Sequence, residues 1–392
     1  MRGQASLPPD WRSDLVDLRR HVHRHPELSH AETGTAELVA ARLRAWGIDE
    51  VHVGVGGTGV VGVINGRRDG PMVMLRADMD ALPIQESDHG QPYRSSRNGV
   101  HHACAHDGHV AILLTTARIL AASRERLAGS VVLAFQPAEE AGDGAISMLR
   151  DGLLDRWKPD ACFGLHLWNE LPVGTIDVRP GAVMAYADGI AITVTGRGGH
   201  AASPDRTRDP VVAAASIILA LQTIASRETP PGETVVLTIG SIHAGTVGYV
   251  IPERVEMQGT LRTFDVELRK RMLARAATVV ARTGEAFELT AELRVVDSQL
   301  ACVNDPGQAE VVRRAAENVV GGENVTSHFR TAGADDMAEY LARIPGCYFF
   351  VGSANRERGL EAPHHSPSFD FDEDALEVGA RTLAEVVFAS LA

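Results

Sequence analysis

The chain has little that would mark a secreted, disulfide-built or nucleic-acid-binding protein. Its 392 residues hold four cysteines, Cys104, Cys162, Cys302 and Cys347. They are too scattered for a disulfide framework, and no two form a CxxC pair. Basic residues are outnumbered, 38 Lys and Arg against 51 Asp and Glu, which leaves a net charge of −13. With no basic cluster on a motif, that balance argues against nucleic acid or an anionic membrane as a partner. No apolar run reaches the length of a membrane span, and the stretch from Met1 to Asp10 lacks the apolar core of a signal peptide, so a cytoplasmic location is expected. A Gly-x-Ser-x-Gly elbow is missing, as are an HExxH helix, four cysteines spaced for structural zinc, and the paired cysteines of a zinc deaminase.

What is there is one dense stretch, His101-His-Ala-Cys-Ala-His-Asp-Gly-His109. Imidazole, thiolate and carboxylate are the side chains that donate to a borderline-soft divalent cation. Cys104 and His106 are one residue apart, so on an extended loop they point to the same side. The apolar run after His109 is long enough for a buried helix that would hold the loop rigidly.

The rest of the chain supplies partners. Trp11, Leu15, Leu18 and Val22 fall at helical spacing, and a second helix runs to Trp46 before Gly47. His21 and His25 could share a helix face, but without a third ligand nearby they read as surface or packing residues. Gly54–Gly59 matches a dinucleotide fingerprint, yet a strand follows instead of a helix, so it reads as a glycine hairpin. Apolar strands over 72–75, 131–135 and 161–165 run into Asp78, Glu139-Glu140 and His166, and helical stretches alternate with them. That pattern predicts an α/β sheet with its chemistry at the carboxyl ends of strands. From about Ala187 the order becomes β-α-β-β-α-β, the ferredoxin-like order. The fold expected is therefore α/β: a catalytic domain with a mixed sheet covered by helices (1–183 and 299–392), interrupted by an inserted ferredoxin-like domain (184–298). Adjacent Glu139 and Glu140 can divide labour, one on an ion and one on protons. His364 and His365 form a second adjacent pair, of which one can be a ligand.

Arg76-Ala-Asp-Met-Asp-Ala-Leu-Pro-Ile, His102-Ala-Cys-x-His-Asp-Gly-His, Pro137-Ala-Glu-Glu, Gly164-Leu-His and Gly198-Gly-His-Ala-Ala-Ser-Pro carry a resemblance over nearly the whole chain. It resembles the dinuclear-metal aminoacylase and carboxypeptidase superfamily, in the branch of hippurate hydrolases, bacterial N-acyl-amino-acid amidohydrolases and plant auxin-conjugate hydrolases. The resemblance implies two divalent ions per chain (Zn, Mn, Co or Ni) on Cys104, His106, Glu140, His166 and His365, with Cys104 bridging. It implies Glu139 as general base and Asp78 as a carboxylate orienting a ligand. The inserted domain would act as lid and dimerisation domain, in a homodimer or homotetramer. Its His200 would stabilise the oxyanion, and Arg262 and Tyr249 would lie near a small N-acyl amino acid substrate. Two positions depart from the family's pattern: Ala105 stands where it has Gly, and Tyr249 where it has Asn. The first predicts a reshaped metal loop, since Ala resists left-handed angles; the second leaves specificity open. The expected reaction is hydrolysis of an N-acyl amino acid. A dipeptidase or carboxypeptidase on the same site, or a catalytically silent metal-binding homologue, is the alternative.

Overall fold

Apolar spacing sets the first elements of the computed structural model, which describes residues 6–392. The residues 1–5 that entered the leader reading lie outside that range. Helix α1 (Pro9–Arg24) buries Leu15, Leu18 and Val22, as their spacing predicts. Helix α2 (Thr33–Ala45) follows, and Gly47 stands just past its end at φ 70°. The glycine-rich stretch joins β1 (Glu50–Val55) to β2 (Gly59–Asn65) as an antiparallel hairpin, with Gly54, Gly56 and Gly57 at positive φ. Then come β3 (Arg68–Asp78), α3 (His106–Ala122), β4 (Ala128–Gln136), α4 (Gly144–Arg150), α5 (Leu153–Trp157) and β5 (Ala161–Pro172). Short strands β6 (Ile176–Asp177) and β7 (Gly181–Ala182) precede a change of unit.

The chain divides into two compact units, Met184–Ala301 with Arg330–Ala334 forming one and the remainder the other. In the smaller unit lie β8 (Tyr186–Thr195), β9 (Gly199–His200), α6 (Pro210–Thr223), β10 (Val235–Ala244), β11 (Val250–Ile251), β12 (Arg254–Thr263), α7 (Val266–Ala286) and β13 (Thr290–Gln299). Its four long strands form one antiparallel sheet in the order β10-β12-β8-β13, which with α6 and α7 is the ferredoxin-like arrangement. Asp209 and Asp265 cap the two helices on backbone N–H groups. The strip Arg330–Ala334 joins this unit through local bonds that no sequence pattern announced. Ala185 N–H donates to the Gly333 carbonyl at 2.9 Å, and Arg262 Nη1 donates to the Ala332 carbonyl at 3.1 Å.

One sequence expectation is corrected here. The helical stretch Pro210–Glu228, α6 with a π-turn extension, has 19 residues and a mean hydropathy of 1.5, long and apolar enough to cross a membrane. Ser216 and Gln222 break the run in sequence without lowering its average enough. Ala213, Ala214, Ile217 and Leu221 of this helix are buried in the unit's own core.

The larger unit resumes with β14 (Val303–Asn304), α8 (Pro306–Val320), β15 (Val325–Thr326), α9 (Ala338–Leu341), β16 (Gly346–Ala354) and α10 (Asp374–Ser390). Its eight-stranded sheet runs β1-β2-β4-β3-β5-β16-β6-β15. The central β4, β3, β5 and β16 are parallel, with antiparallel neighbours on either side. Such strands are buried on both faces and read as continuous apolar runs: the six residues of β4 from Val131 to Gln136, and all of β16 except Ala354, are buried. Helices α1, α3, α8 and α10 contribute to the same core.

Candidate metal centre

The parallel strands deliver polar residues to one end of the sheet. Past β3 comes Asp80, and past β4 come Glu139 and Glu140. Cys104 and Ala105 immediately precede α3, whose first residue is His106. His166 differs from expectation in lying inside β5, which continues to Pro172. Pairing of β5 with β3 stops at Gly164, however, so His166 lies just past the part of β5 that pairs with β3. His365 lies on the connection from β16 to α10.

These residues meet. Cys104 Sγ lies 3.6 Å from His166 Nε2. His365 Nε2 lies 3.5 Å from Glu140 Oε1, and His106 Nε2 lies 4.0 Å from the same oxygen. Glu139 Oε2 is 3.9 Å from His106 Nε2. Two triads, Cys104–His106–His166 and Cys104–Glu140–His365, each keep their donor atoms within 4.8 Å of one another, and Cys104 belongs to both. Cys104 therefore stands where it could serve both donor sets.

A fit test comes from unpaired atoms. His106 Nε2 and Glu140 Oε1 are buried without a hydrogen-bond partner, which folded proteins rarely tolerate at a polar atom. Both imidazoles are also set to coordinate through Nε2. His106 Nδ1 donates to the Asp80 carbonyl at 2.9 Å, and His166 Nδ1 donates to the Leu167 carbonyl at 2.7 Å. His109 has no such freedom. Its Nδ1 donates to Asp78 Oδ1 at 2.6 Å, and its Nε2 accepts from Leu167 N–H at 3.0 Å. The adjacent pair at 364–365 divides likewise: His364 stacks on Trp168 and donates to the Leu167 carbonyl, while His365 faces Glu140. A thiolate, three imidazoles and a carboxylate suit a borderline-soft divalent ion.

Three loops hold these ligands in unfavourable backbone. Ala105 has φ 64°, Ala138 has φ 52° and His365 has φ 63°, all left-handed and none glycine. Such angles persist where the surroundings over-determine them, as they do at functional sites. Ala105 therefore adopts the left-handed angles that its side chain resists.

The carboxylate in direct contact with His106, Glu139 and Glu140 is Asp80, two residues beyond Asp78. Asp80 Oδ1 lies 3.2 Å from His106 Nδ1 and accepts from Glu139 N–H at 3.1 Å. Its Oδ2 accepts from Glu140 N–H at 3.0 Å and from the Ser29 hydroxyl at 2.7 Å. Asp78 sits one step back, between His109 and Arg76 Nη1, the latter at 2.5 Å. The Asp-Met-Asp spacing was the available signal, because both carboxylates leave the same strand end. Asp80→Asn should lower metal affinity by roughly 10–100-fold, the usual loss when a group orienting a metal ligand is removed. Equilibrium dialysis against the wild type measures it; unchanged affinity would return the role to Asp78.

Electrostatics favour positive charge here. Burial works against charge on His106, but Asp78, Asp80 and Glu140 override it and push the imidazole up to about 10. Burial first, then Asp335, Glu140 and Asp336, raise Glu139 well above the usual carboxyl range. Burial, then Glu140 and Glu139, raise the Cys104 thiol. A bound cation would reverse that last effect, since a coordinating thiol gives up its proton.

Three further candidates lie in the smaller unit. His200 on β9 is exposed, and its Nδ1 accepts from Ala202 N–H at 3.0 Å. Val250 pairs with His200 across β11–β9, which puts the exposed Tyr249 beside it. Arg262 is half-buried on β12 with Nη1 on the Ala332 carbonyl. In the larger unit, His21 on α1 and His25 just past its end are exposed, with ring centroids 4.8 Å apart.

The larger family of this chain is Peptidase family M20/M25/M40, to which it belongs: that family's profile matches residues 74–389. Among curated relatives, the Saccharolobus solfataricus protein named thermostable carboxypeptidase 2 is 38% identical over 95% of this chain and 93% of its own length. The Bacillus subtilis protein named N-acetyl-L-cysteine deacetylase is 38% identical over 92% of this chain and 84% of its own. A solved Bacillus subtilis structure, described as a dinuclear metal binding peptidase from the M20 family, superposes with a TM-score of 0.85. It is 34% identical and covers 98% of this chain and 99% of that one. The protein is thus a metal-dependent hydrolase with a catalytic α/β unit and an inserted unit.

Proposed function

We propose that the protein is a metal-dependent amidohydrolase that cleaves N-acyl amino acids into a carboxylic acid and a free amino acid. One observation carries the reading: two ligand triads share Cys104 beside a buried glutamate, and His106 Nε2 and Glu140 Oε1 are left unpaired. Cys104, His106, Glu140, His166 and His365 would hold two divalent ions. When bound, such a pair supplies Lewis-acid polarisation of the amide carbonyl and lowers the pKa of a water from about 16 toward roughly 7. Glu139 takes the proton of the attacking water and delivers it to the leaving nitrogen as the C–N bond breaks. Asp80 holds both glutamate N–H groups and the His106 ring, so base and ligands keep one geometry. His200 donates to the developing oxyanion, and Arg262 and Tyr249 contact substrate. Asp78 steadies the site through His109.

Zinc or manganese as resident metal, a cytoplasmic location and a homodimer complete the proposal. Donor chemistry supports the metals. Exposed large apolar residues support the dimer, since most of them, Leu219, Ile242 and Val296 among them, fall in the smaller unit. The proposed domain limits are 1–183, 184–298 and 299–392, with the smaller unit extended to Ala301 and joined by Arg330–Ala334. A relative named as a carboxypeptidase keeps a second reading in view, a peptide-bond substrate on the same site.

Assay of metal-loaded protein against N-acyl amino acids and dipeptides tests the substrate class: turnover of the first set is expected, and turnover of dipeptides alone would favour the second reading. His200→Ala should lower kcat by roughly 10²–10³, the loss for one oxyanion donor, with metal content unchanged. Wild-type turnover in that variant would remove His200 from the mechanism.

A further inference from the structure

A second cluster of metal-ligating side chains lies between α1 and the loop from Met79 to Ala105, and it shares no residue with the centre above. His23 Nε2 is 3.1 Å from Glu86 Oε1, and His101 Nε2 is 3.8 Å from the same oxygen. The three donor atoms lie within 4.8 Å of one another, and all three residues are buried. Donors around a tetrahedral ion with bonds of about 2.0–2.1 Å stand roughly 3.4 Å apart, which falls between the two separations.

The surroundings are those of a coordinating imidazole. His23 Nδ1 donates to Asp107 Oδ2 at 2.7 Å, and Arg19 Nε donates to the same oxygen at 2.8 Å. That carboxylate fixes the ring with Nε2 toward Glu86. Glu86 is itself held, its Oε1 by Gln91 Nε2 at 2.7 Å and its Oε2 by Ser95 N–H at 2.6 Å. His101 is the residue left over. It is 0% exposed, and neither ring nitrogen has a hydrogen-bond partner. An imidazolium at His23 bridging Asp107 and Glu86 would satisfy those three groups without an ion, but it leaves His101 unpaired.

The placement also accounts for an unusual loop. Between β3 and α3 the chain runs from Met79 to Ala105 with only isolated bridges, at Ala81, Leu82 and His101. Segments beyond about 12–15 residues without regular structure are uncommon unless they serve a function. This one ends on Cys104, and both Glu86 and His101 belong to it. We propose that His23, Glu86 and His101 form a third, structural divalent-cation site of the zinc class, which staples the ligand-bearing loop to α1.

Zinc retained per chain after saturation and desalting, counted by elemental analysis, tests the proposal. Wild type is expected to hold about three zinc ions and His101→Leu about two, while Cys104→Ala/His365→Ala keeps about one. Leucine fills the imidazole's place without a buried polar atom, so metal-free His101→Leu should unfold at or above the wild-type temperature. Zinc should raise the Tm of Cys104→Ala/His365→Ala, and adding His101→Leu should abolish that rise. If His101→Leu fails to fold, Glu86→Gln decides, with an expected loss of roughly tenfold or more in affinity for the same ion. Equal zinc in wild type and a folded His101→Leu, or undiminished affinity in Glu86→Gln, would overturn the third site. Failure of the dinuclear reading would register differently, as undiminished zinc in Cys104→Ala/His365→Ala.

Discussion

Glu139→Gln should keep its metal and lose its turnover. The substitution preserves size and polarity but removes the basic carboxylate. Glu139 is buried among Asp335, Glu140 and Asp336, and burial together with those charges raises its affinity for a proton. A carboxylate with raised proton affinity is the better acceptor for the proton of the attacking water, which it passes to the leaving amine. Its kcat is expected to fall by roughly 10²–10⁴ with KM little changed, the pattern of an interaction used mainly in the transition state. Glu140→Gln should behave oppositely, losing metal and activity together, because Glu140 Oε1 faces both His365 and His106. Steady-state kinetics and elemental analysis on the two variants separate the roles. Metal lost from Glu139→Gln and kept in Glu140→Gln would reverse the pair.

Arg76→Met should destabilise the larger unit by about 3–5 kcal/mol, the range for breaking a buried ion pair by removing one partner. The Arg76 side chain is 1% exposed, and it reaches Asp78 at 2.5 Å, Asp336 at 2.7 Å and Asp335 at 3.1 Å. Its Nε donates to Gln136 at 2.9 Å. Methionine approximates the stem but supplies no charge, so three buried carboxylates lose their common counter-ion. Burial already raises Asp336 to about 7 even beside the guanidinium. Denaturant unfolding at neutral pH measures the loss. Stability within about 1 kcal/mol of wild type would mean that the carboxylates protonate or rearrange at little cost.

Legibility in the sequence followed distance along the chain. The metal stretch could be read because Cys104 and His106 are neighbours and their chemistry has few structural uses. The ferredoxin-like order could be read because its strands and helices alternate locally, with boundaries shifted by a few residues at Val235, Ala286 and Gln299. Arg76 could not, since its partner Asp336 lies 260 residues away and nothing near either residue marks the pairing. His23 was hidden for another reason. His21 and His25 share one exposed face, while His23 between them points to the core beside Asp107. Helical periodicity held the clue: Leu15, Arg19 and His23 step by four and belong to the buried stripe of α1. Asp80 shares its motif with Asp78, and the motif alone does not separate the two. Its role depends on backbone N–H groups at Glu139 and Glu140, about 60 residues on, which no side-chain pattern reveals.

The central claim is that turnover depends on cations held by a shared Cys104. It is tested most directly by removing and restoring metal while hydrolysis of an N-acyl amino acid is followed. In wild type, chelation should take turnover to background, and a divalent metal should restore it. Cys104→Ala should regain neither its metal pair nor its turnover under the same titration. Full turnover in the chelated wild type, or in Cys104→Ala, would contradict the account.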